Sequence, residues 1–333
     1  MRMSAKYLVF CSFVSISFIG LLWKALNHSQ AYSTQKSVYE VGKTRDSYGL
    51  TGHVRSGSQL SSEVTEDNSE TFLTKIIYNR VGKCGSRSML AIIRELSDKN
   101  KFLLYTSSVF NVTRPSILDL QAEVKLIDSL MSPVIYSRHI HFIDFSKFGA
   151  QTPVYINMIR DPIERFLSNY YFRRFGDSRQ AGPRQAKQWL PGDRSRSVNE
   201  CILRNHSECS GIKLWYIVPY FCGHELICKR PSREALSRAK VNLLDHYMAV
   251  GILEDFEGTL NVFEKLFPRF FTGAAALWKE IEAARQNTKT LGKTSLSPKA
   301  YSVLRNRMDI EYEFYNFALA LFQHLKDFHL GIK

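Results

Sequence analysis

Residues 79–87 read Asn79-Arg80-Val81-Gly82-Lys83-Cys84-Gly85-Ser86-Arg87, a set of glycines and cations suited to holding phosphate. An apolar run, Phe72–Tyr78, leads into it, and an amphipathic stretch, Ser88–Leu96, leads out. A turn that feeds a helix presents unpaired N–H groups, and the helix dipole adds attraction for an anion. Two glycines let the backbone approach a phosphate closely, while Arg80 and Lys83 add countercharge. The turn is not a Walker A loop. That motif wants a glycine five residues before its Gly-Lys pair and Ser or Thr directly after it; here those positions are Ile77 and Cys84. Lacking the hydroxyl that would hold magnesium, the turn reads as a cradle that works without a metal. An ordinary surface turn carrying a lysine is the competing reading.

A second candidate runs from Ile156 to Tyr170. Arg160 ends an apolar run, where open α/β sheets place ligands, and Ser168 falls two helical turns later. The arginine fork pairs bidentately with phosphate oxygens, so Arg160 and Ser168 together suit a second phosphate. Basic residues follow: Arg173, Arg174, Arg179, Arg184, Lys187, Arg194 and Arg196, against Asp177 and Asp193. Lys229, Arg230 and Arg233 extend that track, although each alone reads equally as a solvated surface charge. Lys293-Thr294-Ser295 is a further candidate loop at a nucleotide. With a formal net charge of +14, the chain favours a polyanionic partner: nucleic acid, an anionic membrane or a sulfated polysaccharide.

The elements that would position these residues alternate. Phe72–Tyr78, Lys101–Thr106, Val134–Tyr136 and Val154–Ile159 read as strands. Ser88–Leu96, with Met89, Leu90, Ile92, Ile93 and Leu96 on its apolar face, reads as a helix. So do Ile117–Leu130 and Ile163–Phe175, the latter starting after Pro162, a favoured first-turn residue. Strands alternating with helices predict an α/β domain with a mainly parallel central sheet. Pro298–Leu330 is helical in pattern, with Met308, Phe314, Phe317, Leu321, Phe322 and Leu325 as its buried stripe.

Compartment is legible at the other end. Arg2 and Lys6 precede an uncharged apolar run, residues 7–23, closed by Lys24. At ~1.5 Å per residue the run spans roughly 25 Å, enough for a thin bilayer. The positive-inside rule leaves residues 1–6 as a cytosolic tail and puts the rest in the lumen. A cleaved signal peptide, ending near Ser29-Gln30-Ala31, is the alternative; the run is longer than a usual signal core. Residues 24–71, rich in Ser, Thr, Gly and charge, cannot bury enough surface to fold and read as a stem. Residues 72–333 form the luminal domain. In the secretory pathway a nucleic-acid partner is disfavoured.

Of six cysteines, Cys11 lies in the apolar run and Cys84 in the turn. The remaining four, Cys201, Cys209, Cys222 and Cys228, allow three pairings. Their spacings do not match zinc ligation and the lumen is oxidising; near neighbours close small loops most readily, favouring Cys201–Cys209 and Cys222–Cys228. Sequons at Asn27, Asn111 and Asn205 fit a glycoprotein, with Asn111 and Asn205 the expected sites because Asn27 adjoins the membrane.

Taken together, the lysine turn, Arg160-Asp161-Pro162 and Ser168 resemble the carbohydrate sulfotransferases that use 3′-phosphoadenosine 5′-phosphosulfate (PAPS). Within them the chain is similar to the uronyl and heparan sulfate 2-O-sulfotransferases. Tyr78 through Arg87, Arg138-His139-Ile140-His141-Phe142, Ile159 through Phe175, Pro219-Tyr220-Phe221-Cys222-Gly223 and Glu311-Tyr312-Glu313-Phe314-Tyr315 carry the likeness, which extends over residues 72–330. It implies a P-loop-like sulfotransferase fold, anchored by one N-terminal transmembrane helix in the Golgi membrane. It implies that Arg80, Lys83, Cys84, Gly85, Ser86 and Arg87 bind the 5′-phosphosulfate, with Lys83 catalytic at the bridging oxygen. Arg160 and Ser168 would take the 3′-phosphate, and no metal is implied. His139 would be the base, histidine being suited by its reference pKa of ~6.5, and Arg184, Arg80 and His141 would meet the sugar chain. The chain departs from the heparan members at Ser137, where they carry a second histidine; here the second is His141, so both His139 and His141 stand as the base. That departure leans the acceptor toward dermatan or chondroitin sulfate. The heparan members also imply a homo-oligomer. A heparan sulfate 2-O-sulfotransferase is one alternative. Another is a non-catalytic glycosaminoglycan binder, which predicts a ruined donor site, yet Lys83, Arg160, Ser168 and His139 are present. A luminal kinase would want the missing hydroxyl.

Overall fold

The computed structural model describes residues 74–109, 111–177, 180–181, 192, 194–284 and 290–331. The expected membrane anchor and stem, residues 7–23 and 24–71, lie outside them. Among the described residues no helix is long and apolar enough to cross a membrane.

Five strands build the central sheet: β1 (Lys75–Asn79), β2 (Leu103–Thr106), β3 (Val134–Arg138), β4 (Val154–Ile159) and β7 (Tyr247–Ile252). All pair in parallel, in the order β2-β3-β1-β4-β7. Strands of a parallel sheet are covered on both faces and read as unbroken apolar runs. Ile76, Ile77 and Tyr78 in β1, and every residue of β3 and β4, are buried accordingly. Only β2, at an edge, exposes side chains, Leu103 among them. β1 therefore lies between β3 and β4, which brings the carboxyl ends of all three to one rim. A buried polar knot ties the sheet together: Asn157 Nδ2 donates to the Asn79 carbonyl at 2.7 Å, and Tyr247 donates to Asn79 Oδ1 at 3.1 Å.

Helices follow the strands as the alternation predicts. α1 (Ser86–Lys99) buries Met89, Ile92, Ile93 and Leu96, with Leu90 half-buried at the margin. α2 (Ile117–Ser129) starts at a capping box formed by Ser116 and Asp119. α3 (Pro162–Phe175) has Pro162 at its first position, and Asp161 caps it by accepting from the Glu164 N–H at 2.9 Å. Residues 176–297, for which no element is predicted above, contribute a two-residue hairpin, β5 (Gly176–Asp177) with β6 (Gln180–Ala181), and then α4 (Val198–Leu203), α5 (Ile217–Cys222), α6 (Arg233–His246), β7, α7 (Phe256–Leu266), α8 (Pro268–Phe271) and α9 (Ala274–Ala284). Both expected disulfides are present, Cys201–Cys209 joining α4 to the next turn and Cys222–Cys228 doing the same for α5.

The C-terminal helix differs from expectation. It breaks at Met308 into α10 (Pro298–Arg307) and α11 (Asp309–Leu330), so that α10 packs on α4 while α11 packs on α6, α7 and β7. Of the predicted stripe, Met308, Phe314 and Phe322 are buried, whereas Phe317, Leu321 and Leu325 sit at its edge. Glu311, Tyr312, Tyr315 and Ala318 fill the inner face instead, because α11 serves the rim of the sheet as well as its core.

Candidate active site

The turn after β1 has the backbone its glycines suggest. Lys83 and Gly85 both adopt positive φ, 67° and 74°, which folds the chain sharply before α1. Gly85 occupies the N-cap position and no side chain caps the helix, leaving the first-turn N–H groups to an anion. A β-carbon on Gly85 would lie 2.5 Å from Leu253 Cδ1, and one on Gly82 would lie 2.4 Å from the Tyr216 hydroxyl. Both positions are thus pinned against neighbours as well as bent. Ser86 turns back to the loop, its hydroxyl donating to the Val81 carbonyl at 3.1 Å. Cys84 is the free cysteine among the described residues, and burial pushes its thiol up to about 12, so it is an inert packing group.

Cations gather around this turn, and two of them, Arg80 and Arg165, are buried without an ion pair among the described residues. Arg80 is buried, its Nε has no hydrogen-bond partner, and it makes no ion pair among the described residues. Arg165, from α3, is 1% exposed, with Nε and Nη1 unpartnered and its guanidinium 4.0 Å from the Tyr216 ring centre. Lys83 Nζ rests 3.8 Å over the Phe172 ring. Burial first, then the nearby Arg87, hold the Lys83 pKa down to about 8, against the pull of Asp177. Arg87, more exposed, pairs with Asp177 at the hairpin. Buried cations without countercharge are costly. Their convergence on a loop with open N–H groups fits a phosphosulfate, whose anionic oxygens would partner them.

His139 directly follows β3, and the Arg80 N–H donates to the Arg138 carbonyl at 2.9 Å, which carries the β1–β3 ladder on toward it. The His139 Nδ1 lies 2.8 Å from the Arg80 carbonyl. A carbonyl oxygen can only accept, so Nδ1 carries the proton and Nε2 keeps its lone pair. Burial, reinforced by the Arg80 charge, lowers its pKa to about 4. The imidazole is therefore neutral throughout the physiological range, with the Nε2 lone pair available.

His141 stands differently. It is buried, its Nδ1 accepts from Arg114 Nε at 3.1 Å, and its ring packs 4.9 Å from Tyr220. Burial and Arg114 hold its pKa well below the usual value. These contacts hold its ring in the interior. Arg160 directly follows β4, with Nη2 donating to Glu164 Oε2 at 3.0 Å, and Ser168 lies buried on α3 with its hydroxyl 3.4 Å from that of Thr290. Arg184 lies outside the described residues. Asn111 and Asn205 are exposed.

Glu311 opens one of the segments that carry the family likeness, but its task is not legible there. Glu311 is 2% exposed and its carboxylate accepts from the N–H groups of Tyr216, Ile217 and Val218, at 3.0, 2.8 and 3.1 Å. It caps the start of α5 and so fixes Tyr216, which presses on Gly82 and stacks with Arg165. Among the described residues no group of three or more His, Cys, Asp or Glu is placed to hold a metal ion.

A sulfotransferase-family profile (Sulfotransfer_2) matches residues 73–318. The chain belongs to the sulfotransferase family. This membership implies PAPS as the sulfuryl donor, in keeping with the loop just described. Among curated relatives, uronyl 2-sulfotransferase of Mus musculus is 44% identical over 266 residues, covering 79% of this chain and 65% of that protein. Its Homo sapiens counterpart is 44% identical over 259 residues, covering 77% and 64%. Heparan sulfate 2-O-sulfotransferase 1 of Xenopus laevis is 40% identical over 281 residues, covering 82% and 76%. This sulfotransferase thus spans a little under two thirds of the length of the uronyl relatives it matches.

Proposed function

We propose that this sulfotransferase moves the sulfuryl group of PAPS to the 2-hydroxyl of a uronic acid in a glycosaminoglycan of the dermatan or chondroitin sulfate type. The observation that carries the reading is the meeting of a proton acceptor and a net-cationic loop at one rim: His139 Nε2 keeps its lone pair because the Nδ1–H donates to the carbonyl of Arg80, itself the first residue of that loop. Higher identity to the uronyl than to the heparan relative supports the acceptor class.

Each residue then has a task. PAPS supplies a sulfuryl group already attached to a phosphate leaving group. His139 Nε2 accepts the proton of the attacking hydroxyl, which is too weakly acidic to ionise unaided. Lys83, Arg80 and the N–H groups at the start of α1 hold the negative charge that collects on the departing phosphate. Arg160 and Ser168 hold the 3′-phosphate. His141, with Arg114, supports the segment that carries His139, and Arg184 serves the acceptor's carboxylate. Such in-line transfer depends mostly on positioning and electrostatics, so the cations replace a metal. We further propose a Golgi type II arrangement: cytosolic residues 1–6, anchor 7–23, stem 24–71 and luminal domain 72–333, glycosylated at Asn111 and Asn205 and assembled as a homo-oligomer.

The test is transfer of labelled sulfate from PAPS by the purified chain, with EDTA present, to desulfated dermatan, chondroitin and heparan chains side by side. Label in 2-O-sulfated uronic acid of dermatan or chondroitin is the expected result. Label confined to heparan would reassign the acceptor, and none on any chain, with folded protein, would favour a binding role.

A further inference from the structure

At the 3′-phosphate end of the site the cations are already occupied. Glu164 Oε2 accepts from Arg160 Nη2 at 3.0 Å and from Lys293 Nζ at 2.5 Å. Two other acids nearby are held by further groups, although Glu254 also pairs at longer range with Arg160. Glu254 Oε1 accepts from the Asp161 N–H at 3.1 Å and Oε2 from the Tyr315 hydroxyl at 3.3 Å. Asp161 caps α3 and accepts from the Tyr312 hydroxyl at 2.9 Å. Glu164 has no such ties. Among the described residues its carboxylate touches only the two cations, and its side chain is 40% exposed. Beside it opens a cavity of about 530 Å³, lined by Ile163, Leu167, Lys293, Thr294, Leu296 and Tyr301. Arg160 Nε, although buried, has no hydrogen-bond partner, lying 3.8 Å from Glu254.

We propose that Glu164 is an internal competitor for the donor's 3′-phosphate. It holds Arg160 and Lys293 when no nucleotide is bound, yields both when the phosphate arrives, and recaptures them as adenosine 3′,5′-bisphosphate departs. Lys293 thereby becomes a second cation at that phosphate, beside Arg160. The proposal rests on the donor assignment above. The exchange is easy because half-exposed ion pairs are weak, whereas a phosphate dianion offers the same donors several charge-assisted hydrogen bonds at once. What the enzyme gains is release: the product carries the same 3′-phosphate as the donor, and a carboxylate in waiting prevents the two cations from retaining it.

The test is calorimetric titration of the full chain with adenosine 3′,5′-bisphosphate, with adenosine 5′-monophosphate as control. Glu164→Gln keeps the side-chain size but removes the competitor, so the bisphosphate should bind roughly three- to tenfold tighter, with monophosphate affinity unchanged. Glu164→Asp should shift affinity less than the Gln variant. Lys293→Ala should weaken the bisphosphate and spare the monophosphate. Wild type that binds the bisphosphate, with Glu164→Gln binding it equally or more weakly, overturns the proposal: Glu164 would then organise the cations. Failure of wild type to bind the bisphosphate at all would instead overturn the donor assignment.

Discussion

The two cationic centres of the site are built oppositely. Around the turn, Arg80 and Arg165 are buried and unpaired, and Lys83 lies on an aromatic face with its pKa drawn down to about 8. Around the end of β4, Arg160 and Lys293 are part-exposed and share Glu164, with Glu254 also near Arg160. The first centre is largely buried and carries more cations than its acids, Asp177 and Glu311, balance, so it responds strongly to charge that develops during reaction. The second is wet and compensated, so it exchanges one anion for another at little net cost. The contrast suggests a division of labour, chemistry at the turn and nucleotide exchange at the end of β4.

The sharpest way to break that division is at the turn. His139→Ala should lower turnover by about 10²–10⁴-fold while leaving adenosine 3′,5′-bisphosphate binding intact, as steady-state kinetics and calorimetry on one preparation would show. Normal turnover would move the base elsewhere, although His141, bound to Arg114, is poorly placed for it. Lys83→Ala should cost about 10²–10³-fold, chiefly in kcat. Arg160→Ala should instead raise the donor's KM. If both variants altered KM alone, the turn would be a second binding site and the division would fall.

Glu311 tests whether the buried centre depends on a remote support. Removing a buried carboxylate that satisfies three N–H groups leaves those donors stranded, at about 1–3 kcal/mol apiece in the unfavourable case. Glu311→Ala should lower the denaturation midpoint clearly, and turnover should fall further than stability explains, because Tyr216 and Arg165 lose their seat. Glu311→Gln, which retains an acceptor oxygen, should recover part of both. A variant with a lower midpoint and unchanged kcat would make Glu311 a packing group only.

What could be read in advance follows from how far apart in the chain the partners lie. The turn was legible because one contiguous stretch holds its glycines, its lysine and the helix it feeds. Each disulfide closes a short loop, with sequence separations of 8 and 6, so proximity alone favoured both pairs. The strands β1, β3 and β4 announced themselves as apolar runs. Their order did not, since nothing local says that β4 crosses β1 to its far side or that β7 joins beyond it. The roles of Arg165 and Glu311 were hidden for the same reason, although both lie in segments that carry the family likeness. A buried arginine on α3 and a buried acid on α11 meet through Tyr216, and spacing along the chain reports none of this. Glu164 was hidden differently: on a helix's first turn an acid reads as a dipole partner, and only Lys293, distant in sequence, reveals its second engagement.

The smallest expected effect concerns acid, and it discriminates well. An unperturbed histidine base, with a pKa near 6.5, would lose most of its active form between pH 7 and 5.5, roughly an eightfold fall in kcat/KM. With the His139 pKa lowered to about 4, the free enzyme keeps the base neutral across that interval, so kcat/KM should stay within about twofold. Its acid limb should appear near 4, and its alkaline limb near 8 as Lys83 loses its proton. An acid limb at 6.5 would mean that His139 is more solvated than its contact with Arg80 indicates. Stability should move the other way. His139, His141 and His224 all have folded pKa values depressed, the last to about 4, by burial foremost, with Arg80 adding to the effect at His139 and Arg114 at the other two. Below the unfolded value near 6.5 the unfolded chain binds more protons, so stability is present above that pH and drains as pH falls toward 4. Between pH 6.5 and 5 the enzyme should therefore become easier to unfold while its catalytic constant per folded molecule scarcely changes. Turnover and melting temperature measured on the same samples would separate the two, since a parallel decline would mean that acid acts on the fold and the base together.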